Sequence, residues 1–464
     1  MSIKALEVKK LPKALSLKKL IGPSFIILGL GLGSGEVVLW PSLASKYGMG
    51  IIWGALLGLT FQFFMNMEIE RYALAHGESV FVGFARKVKW LPVWFLLSTF
   101  LPWIWPGIVA ASATLLGSLF GIENTQYLAI GLLILMGLIL SLGPVLYKTV
   151  EGLQKLLIGV GVPVIFILSV VIAKQSDWIA LTRGIVGIGE GFNFLPVGIP
   201  IASFLAALAY AGAGGNLNLA QSFYIKAKGY GMGKYAGRIT SLITGKKSPQ
   251  TSLTGAKFEC NEEELNCFKM WWKNINTEHF IVFWITGSVT ILLLALLSYA
   301  TTFNTSYDVS GINFVLAEAT EIGKQMFPIA GTFFLIITGM TLFGTQLTVF
   351  DATSRILTEN LILSNSKRFS ENNMSKFYYA VLWTQIAGGI IILLFGFTQP
   401  LALLTLAAVL NAFAMFVHVG LTLWLNKTSL AKEIRPKLAR TLAMILAFLF
   451  YGGFSIYTII DKIF

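Results

Sequence analysis

Gly33-Ser34-Gly35-Glu36 and Gly212-Ala213-Gly214-Gly215-Asn216 interrupt two otherwise apolar segments, at residues 21–46 and 196–226. A membrane helix broken by glycines leaves backbone groups without intrahelical partners. Hydrocarbon supplies none, so such a break must face protein or a water-lined cavity. The first stretch also carries a carboxylate, Glu36. An ionised acid at mid-membrane costs about 3 kcal/mol, which points to a ligand, a cation or a proton as its partner. The plainer reading is that Glu36 caps an outer half-helix and satisfies its N–H groups.

The bulk composition agrees with a membrane setting. At 55% hydrophobic and 12% charged residues over 464 positions, with a mean hydropathy of +0.74, the chain is too apolar for a soluble globular protein. Eleven helical spans are expected, at 21–46, 51–72, 92–118, 126–147, 152–173, 196–226, 280–301, 327–354, 378–396, 401–425 and 438–460. With the N-terminus inside, all of the 35 Lys and Arg except Lys46, Lys174, Arg183, Lys324 and Lys462 fall on one side. That bias puts the N-terminus in the cytoplasm and the C-terminus outside, in a multi-pass plasma (inner) membrane protein. The net charge of +13 then reflects topology and attraction to the inner leaflet, and nothing else supports a nucleic-acid partner. The partners expected are the lipid bilayer and a small ion or small-molecule substrate; the oligomeric state is not written in the chain. The basic stretch from Lys9 to Lys19 precedes a long span with no small-residue cleavage site, so the first helix reads as retained.

The loop at 227–279 is the one sizeable piece outside the spans. Cys260 and Cys267, six residues apart around Glu262, Glu263 and Glu264, match no standard zinc spacing, and cytoplasmic thiols stay reduced. Gly245-Lys246-Lys247 lacks the spacing of a phosphate loop. Met270-Trp271-Trp272-Lys273 reads as an interfacial anchor. Nothing here suggests an enzyme or a cofactor.

The two interrupted segments are related. Glu36 stands ten positions before Lys46, and Asn216 ten before Lys226, although the first span runs outward and the sixth inward. Equal depth with opposite direction is an inverted repeat: residues 1–20 form a basic N-terminus, 21–173 the first five spans, 196–425 the second five, and 438–460 an added eleventh. This is the pattern of the LeuT-type transporter fold, all-α, with spans one and six unwound at mid-membrane around one site. Carbonyl ends at Leu32 and Gly33 and at Ala211 to Ala213 favour cations; N–H ends near Glu36 and Asn216 favour anions.

Gly22-Pro23-Ser24-Phe25, the break thirteen residues after Pro23, the eleven spans and Asn216-Leu217 together resemble the Nramp divalent-metal transporters. Nramp proteins carry Asp-Pro-Gly-Asn in the first break, where this chain has Gly33, Ser34, Gly35 and Glu36. Their Met-Pro-His-Asn in the second break corresponds to Ala213, Gly214, Gly215 and Asn216 here. The family's third-span acids fall on Trp105 and Ile108, and its sixth-span histidines on Gly215 and Ala220. The resemblance thus implies the architecture without the thioether ligand, the metal-binding Asp or the usual proton route. His418, well inside a span, reads as a polar core residue.

The ligands that remain are a carboxylate, amides and backbone carbonyls, which suit hard ions; thiolate, thioether and imidazole select softer ones. Loss of Asp, Met and His also makes room for a cation that keeps several waters, as Mg2+ does. That is the character of the Nramp-related magnesium transporters, and the expected cargo is Mg2+ or Mn2+, with Glu36 and Asn216 as its ligands. Two alternatives stay open. The same space suits an organic amine or amino acid paired with Glu36, with Trp103 and Trp105 as an aromatic wall or, more plainly, as interfacial anchors. The chain could also be a non-transporting sensor, although it shows no long soluble output extension. Further lining is expected from Asn218, Thr345 and Asn411, set against the packing roles such residues often serve. Asp351 and Arg355, four apart, form a helix ion pair or a gate contact.

Overall fold

Proline and glycine punctuate the apolar runs, and the helices start and stop at them. The computed structural model describes residues 3–17, 20, 22–142, 146–236 and 253–463. α1 (Pro23–Ser34) continues through a π-helical turn at Gly35–Leu39 into α2 (Trp40–Tyr47), and α3 (Trp53–His76) ends at Gly77, whose φ is 62°. α4 (Val80–Lys87) is capped by Ser79, whose Oγ accepts the Val82 N–H. α5 (Leu91–Trp103) and α6 (Gly107–Ser118) form one interrupted rod between Pro102 and Pro106, followed by α7 (Gln126–Leu142), α8 (Leu146–Ile172) and α9 (Gln175–Ile185). α10 (Ile201–Ala209) and α11 (Gln221–Lys228) are the arms of the sixth segment, separated by irregular chain and a 3-10 turn at Gly215–Ala220. Beyond them run α12 (Glu262–His279), α13 (Thr286–Thr302), α14 (Asn313–Gln325), α15 (Pro328–Ser364), α16 (Met374–Leu394), α17 (Pro400–Ser429) and α18 (Leu438–Ile463).

Among the described residues, 9 rods are long and apolar enough to cross a bilayer. α7, with 17 residues, and the two short arms of the sixth segment fall below that length. Burial sorts the rods into layers. The apolar window of the first segment is 94% buried, against 33% for α8 and α18, so the first segment is the axis and the latter two form an outer face. Phe166, Ile167, Val170 and Val171 on α8, with Leu446, Leu449 and Ile456 on α18, are exposed there, where a bilayer would cover them. The long α15 packs along α1, α5 and α6 and closes the inner layer.

The first segment departs from its expected form. It stays helical through residues 33–36: Gly35 has φ −77° and ψ −51°, and the Trp40 N–H reaches back five residues to the Gly35 carbonyl. A widened turn replaces a break. The glycines serve close approach instead. A Cβ on Gly31 would sit 2.8 Å from Gly212 backbone, one on Gly33 2.3 Å from Thr345 Oγ1, and one on Gly35 1.5 Å from the Tyr210 carbonyl oxygen. Only a helix without side chains at these points lets the sixth segment and α15 lie against it.

The end of the bundle marked by basic loops is strapped. β1 (Glu7–Val8) pairs in parallel with β2 (Ala256–Lys257). Glu264 then accepts the Leu11 N–H at 2.8 Å, Trp271 Nε1 donates to the Pro12 carbonyl at 2.7 Å, and Tyr230 OH donates to the Leu20 carbonyl at 2.5 Å. The stretch read as a loop at 227–279 is therefore substantially helical, since α12 extends the seventh span. Trp271 is buried at 1% exposure rather than anchored at an interface, because the strap gives its indole an acceptor. Cys260 and Cys267 are free thiols, Cys267 donating to the Pro12 carbonyl. Gly245-Lys246-Lys247 lies outside the described residues.

A methyl group at Gly35 has to displace backbone, whereas one at Gly152 on α8 meets nothing within 4 Å. Gly35→Ala should lower stability by about 1–3 kcal/mol, and Gly152→Ala should leave it unchanged or raise it by up to about 1 kcal/mol. Thermal unfolding of the detergent-solubilised variants measures both.

Candidate functional site

The break in the sixth segment is real, and α3 makes it tolerable. Gln62 Nε2 donates to the Ala209 carbonyl at 3.0 Å, while Gln62 Oε1 accepts the Gly214 N–H at 3.2 Å and Asn218 Nδ2 at 3.0 Å. One buried amide thus binds a carbonyl and an N–H that the lost helix turn leaves behind. Asn66 Oδ1 accepts from the same Asn218 nitrogen at 2.9 Å. Gly214 and Gly215 have φ of 74° and 55°, the left-handed region that favours glycine.

Span ten, α17, covers the break from the other side. His418 Nε2 lies 3.0 Å from the Gly215 carbonyl, and Asn411 Nδ2 donates to Tyr210 OH at 2.9 Å. A Cβ on Gly215 would meet Asn411 Oδ1 at 1.8 Å. Trp103 stacks on Tyr210 at 5.4 Å, with an interplanar angle of 14°. Tyr210 therefore joins α5, α10 and α17 at the break.

Glu36 is fully buried, and neither carboxylate oxygen has a hydrogen-bond partner. Among the described residues it is the only buried carboxylate with both oxygens bare. Its neighbour Gly35 lies against the Tyr210 carbonyl, so the acid is carried next to the broken segment. Because the helix continues through Glu36, the N–H groups it was expected to cap are already taken up. Ser34, Ala213 and Gly215 are buried as well.

The expected partnership with Asn216 takes a different form. Asn216 Nδ2 donates to Ser98 Oγ at 2.8 Å and Thr99 Oγ1 at 3.0 Å, both on α5. No hydrogen bond joins Glu36 to Asn216 among the described residues. The carbonyl oxygens of Asn216, Asn218 and Asn411 are buried without partners. Asn66 Nδ2, Trp103 Nε1 and His418 Nδ1 are bare there as well among the described residues, so the surroundings of the break hold both unpartnered donors and unpartnered acceptors. Thr345 is committed elsewhere: its Oγ1 donates to the Gly29 carbonyl at 2.8 Å and abuts Gly33, so it packs α15 onto α1. Among the described residues no group of three or more His, Cys, Asp and Glu gathers where a metal ion would sit.

Asp351 and Arg355 do pair, at 2.8 Å, and both are buried. Tyr378 OH on α16 donates to Asp351 Oδ1 at 2.9 Å, and the Arg355 guanidinium lies 5.9 Å from the Tyr224 ring of α11. The pair thus touches one arm of the broken segment. Gln62 and Tyr210 escaped the sequence reading. The signal for Gln62 was an amide in the apolar run at 51–72; the signal for Tyr210 was its place directly before the glycines.

No protein-family model and no curated protein matches the chain. Solved structures do. Two variants of the Eremococcus coleocola manganese transporter match with TM-scores of 0.69 and 0.70 at 12% and 14% identity, each over 98% of this chain and 89% of theirs. The same transporter in complex with an aromatic bis-isothiourea substituted compound matches with a TM-score of 0.65 at 14% identity, over 99% of this chain and 90% of that one. The fold is that of the LeuT-type transporters. Gln62, Tyr210 and Asn411 lie around the interrupted sixth segment.

Gln62→Leu removes the partners of Ala209 and Gly214 together. The loss should be about 2–4 kcal/mol, the cost of two buried polar groups left unpaired, read as a lower unfolding temperature of the purified chain. Thr345→Ser, which keeps the hydroxyl, should unfold within a degree or two of the parent.

Proposed function

We propose that the chain is a secondary transporter that moves a hard divalent cation, Mg2+ or Mn2+, by alternating access. Glu36 is its charged ligand and Asn216 a neutral one. The observation that carries the reading is Glu36 itself: fully buried, bare at both oxygens, and borne on a helix packed against the broken segment. Such a carboxylate is costly unless a cation or proton joins it. Asn216, Asn218 and Asn411 bring unpartnered oxygens to the broken segment among the described residues, which suit a hard ion. A single carboxylate with neutral amides is also a sparse set for a bare divalent ion, so the cargo keeps part of its water shell, as Mg2+ does readily.

The remaining assignments follow the same reading. Residues 21–173 and 196–425 are the two inverted halves and 438–460 the added span. The N-terminus is cytoplasmic and the C-terminus outside, in the plasma (inner) membrane. Asp351 and Arg355 form the gate contact: their pair bridges α15 to Tyr378 on α16 and approaches Tyr224 on α11, so movement of that arm disturbs it.

A second reading has one observation in its favour. The Trp103–Tyr210 stack beside the break is a surface on which an ammonium group can rest, and a small organic amine or amino acid would then pair with Glu36. Uptake by the purified chain in proteoliposomes decides between them. Mg2+ and Mn2+ should compete for uptake, and an amino acid should not; the reverse result selects the organic cargo. Glu36→Gln should abolish uptake while its elution profile and unfolding temperature stay near those of the parent. Unchanged transport by that variant would remove Glu36 from the site.

A further inference from the structure

A second buried acidic cluster lies at the basic end of the bundle, away from Glu36. Ser24 Oγ, in the first turn of α1, is 2.5 Å from Glu278 Oε2 and 2.8 Å from His279 Nδ1, both on α12. His279 Nδ1 is in turn 3.4 Å from Glu70 Oε1 on α3, and Gln221 Nε2 of α11 donates to that oxygen at 2.5 Å. Exposure is 5% for Glu278, 1% for Glu70 and 0% for His279. The imidazole is sandwiched between Phe283 at 4.8 Å and Phe63 at 5.6 Å. Among the described residues, Glu278 Oε1, Glu70 Oε2 and His279 Nε2 have no hydrogen-bond partner.

The surrounding cations are engaged by other acids. Arg71 pairs with Glu68 at 2.8 Å, and Arg440 of α18 approaches the same Glu68 at 3.6 Å while stacking on Trp272. Lys155 of α8 and Lys228 of α11 pair with Glu151, at 2.5 Å and 3.0 Å. Arg440 acts on Glu70, and Lys228 and Lys155 on Glu278, only through space. Among the described residues, two buried carboxylates therefore flank one imidazole without an ion pair to a lysine or arginine. Glu278 accepts from Ser24 and from the N-terminal turn of α1, whereas Glu70 accepts from Gln221.

We propose that the Glu70 carboxyl, beside His279, holds one exchangeable proton, and that this proton keeps α1 docked against α3 and α12. His279 Nδ1–H donates to Ser24 Oγ, Ser24 O–H donates to Glu278, and the exchangeable proton resides on the Glu70 carboxyl. When it leaves, an ionised Glu70 faces Glu278 and a neutral imidazole in a dry pocket, and the tie between α1 and α12 loosens. The docked form binds the proton more tightly than the loosened form. Its advantage is therefore present at low pH and lost as pH rises. The inference rests on the fold and this cluster, and not on which cargo Glu36 binds.

Hydrogen–deuterium exchange of the full-length chain in detergent, without substrate, tests it. Between pH 5.5 and 8.5, exchange of peptides covering 22–34, corrected for the intrinsic rate, should rise by up to about tenfold per pH unit, as one linked proton dictates. Glu70→Gln, a neutral mimic of the protonated acid, should exchange slowly at every pH. Glu278→Gln should exchange faster at every pH, since α1 loses its carboxyl acceptor, yet keep the pH-dependent rise. A flat profile in the parent protein, which needs no variant to fold, overturns the proposal. So does a rise that survives in Glu70→Gln or vanishes in Glu278→Gln.

Discussion

The break in the sixth segment depends on one amide. Ala209 and Gly214 present a carbonyl and an N–H that the helix no longer satisfies, and in hydrocarbon each such group costs several kcal/mol. Gln62 supplies a donor to one and an acceptor to the other. The remaining contacts follow from its position. Asn218 shares the Gln62 oxygen and is steadied by Asn66, while His418 and Asn411 close the opposite side at Gly215 and Tyr210. An interrupted helix inside a membrane protein is tolerated here because two other helices, α3 and α17, bring polar atoms to it.

The two glycine clusters look alike in sequence and do different physical work. At Gly214 and Gly215 glycine provides a backbone conformation, with positive φ at both. At Gly31, Gly33 and Gly35 it provides thinness, letting the Gly212 backbone, Thr345 and the Tyr210 carbonyl come closer than any Cβ would permit. Composition alone does not separate these uses, because both ask for a missing side chain. The difference lies in the partner chain, which sequence periodicity does not reveal. That is why the paired clusters located the crossing of spans one and six while the unwinding of span one did not follow.

The legible and illegible parts divide along the same line. Helical rods, their order and the centrality of the first segment follow from apolar runs and proline and glycine stops, which are local. The burial of Glu36 follows from its place at the middle of an apolar segment. Its lack of partners does not, since that depends on where Asn216 turns, and Ser98 and Thr99 on α5 claim it. Thr345 on a helix face reads equally as lining or packing until Gly29 and Gly33 appear opposite it. Trp271 reads as an interfacial anchor until the strap at Pro12 gives its indole an acceptor. In each case the deciding atom comes from an element far away in the chain.

A continuous first segment and a broken sixth also set how the bundle can move. A helix whose turns are all closed transmits displacement along its length, and the π-helical turn at Gly35–Leu39 is its one irregular point, directly beside Glu36. The sixth segment is interrupted between α10 and α11, a place where few backbone hydrogen bonds oppose bending. Motion of α1 at the basic end, where Ser24 meets Glu278 and His279, therefore travels as a rigid rod to the level of Glu36. There it meets the Tyr210 carbonyl in a contact with no spare space. A shift of the rod must move the broken segment with it or open the space beside the acid. The carboxylate thus sits where the rigid and the interrupted helix are forced to move together.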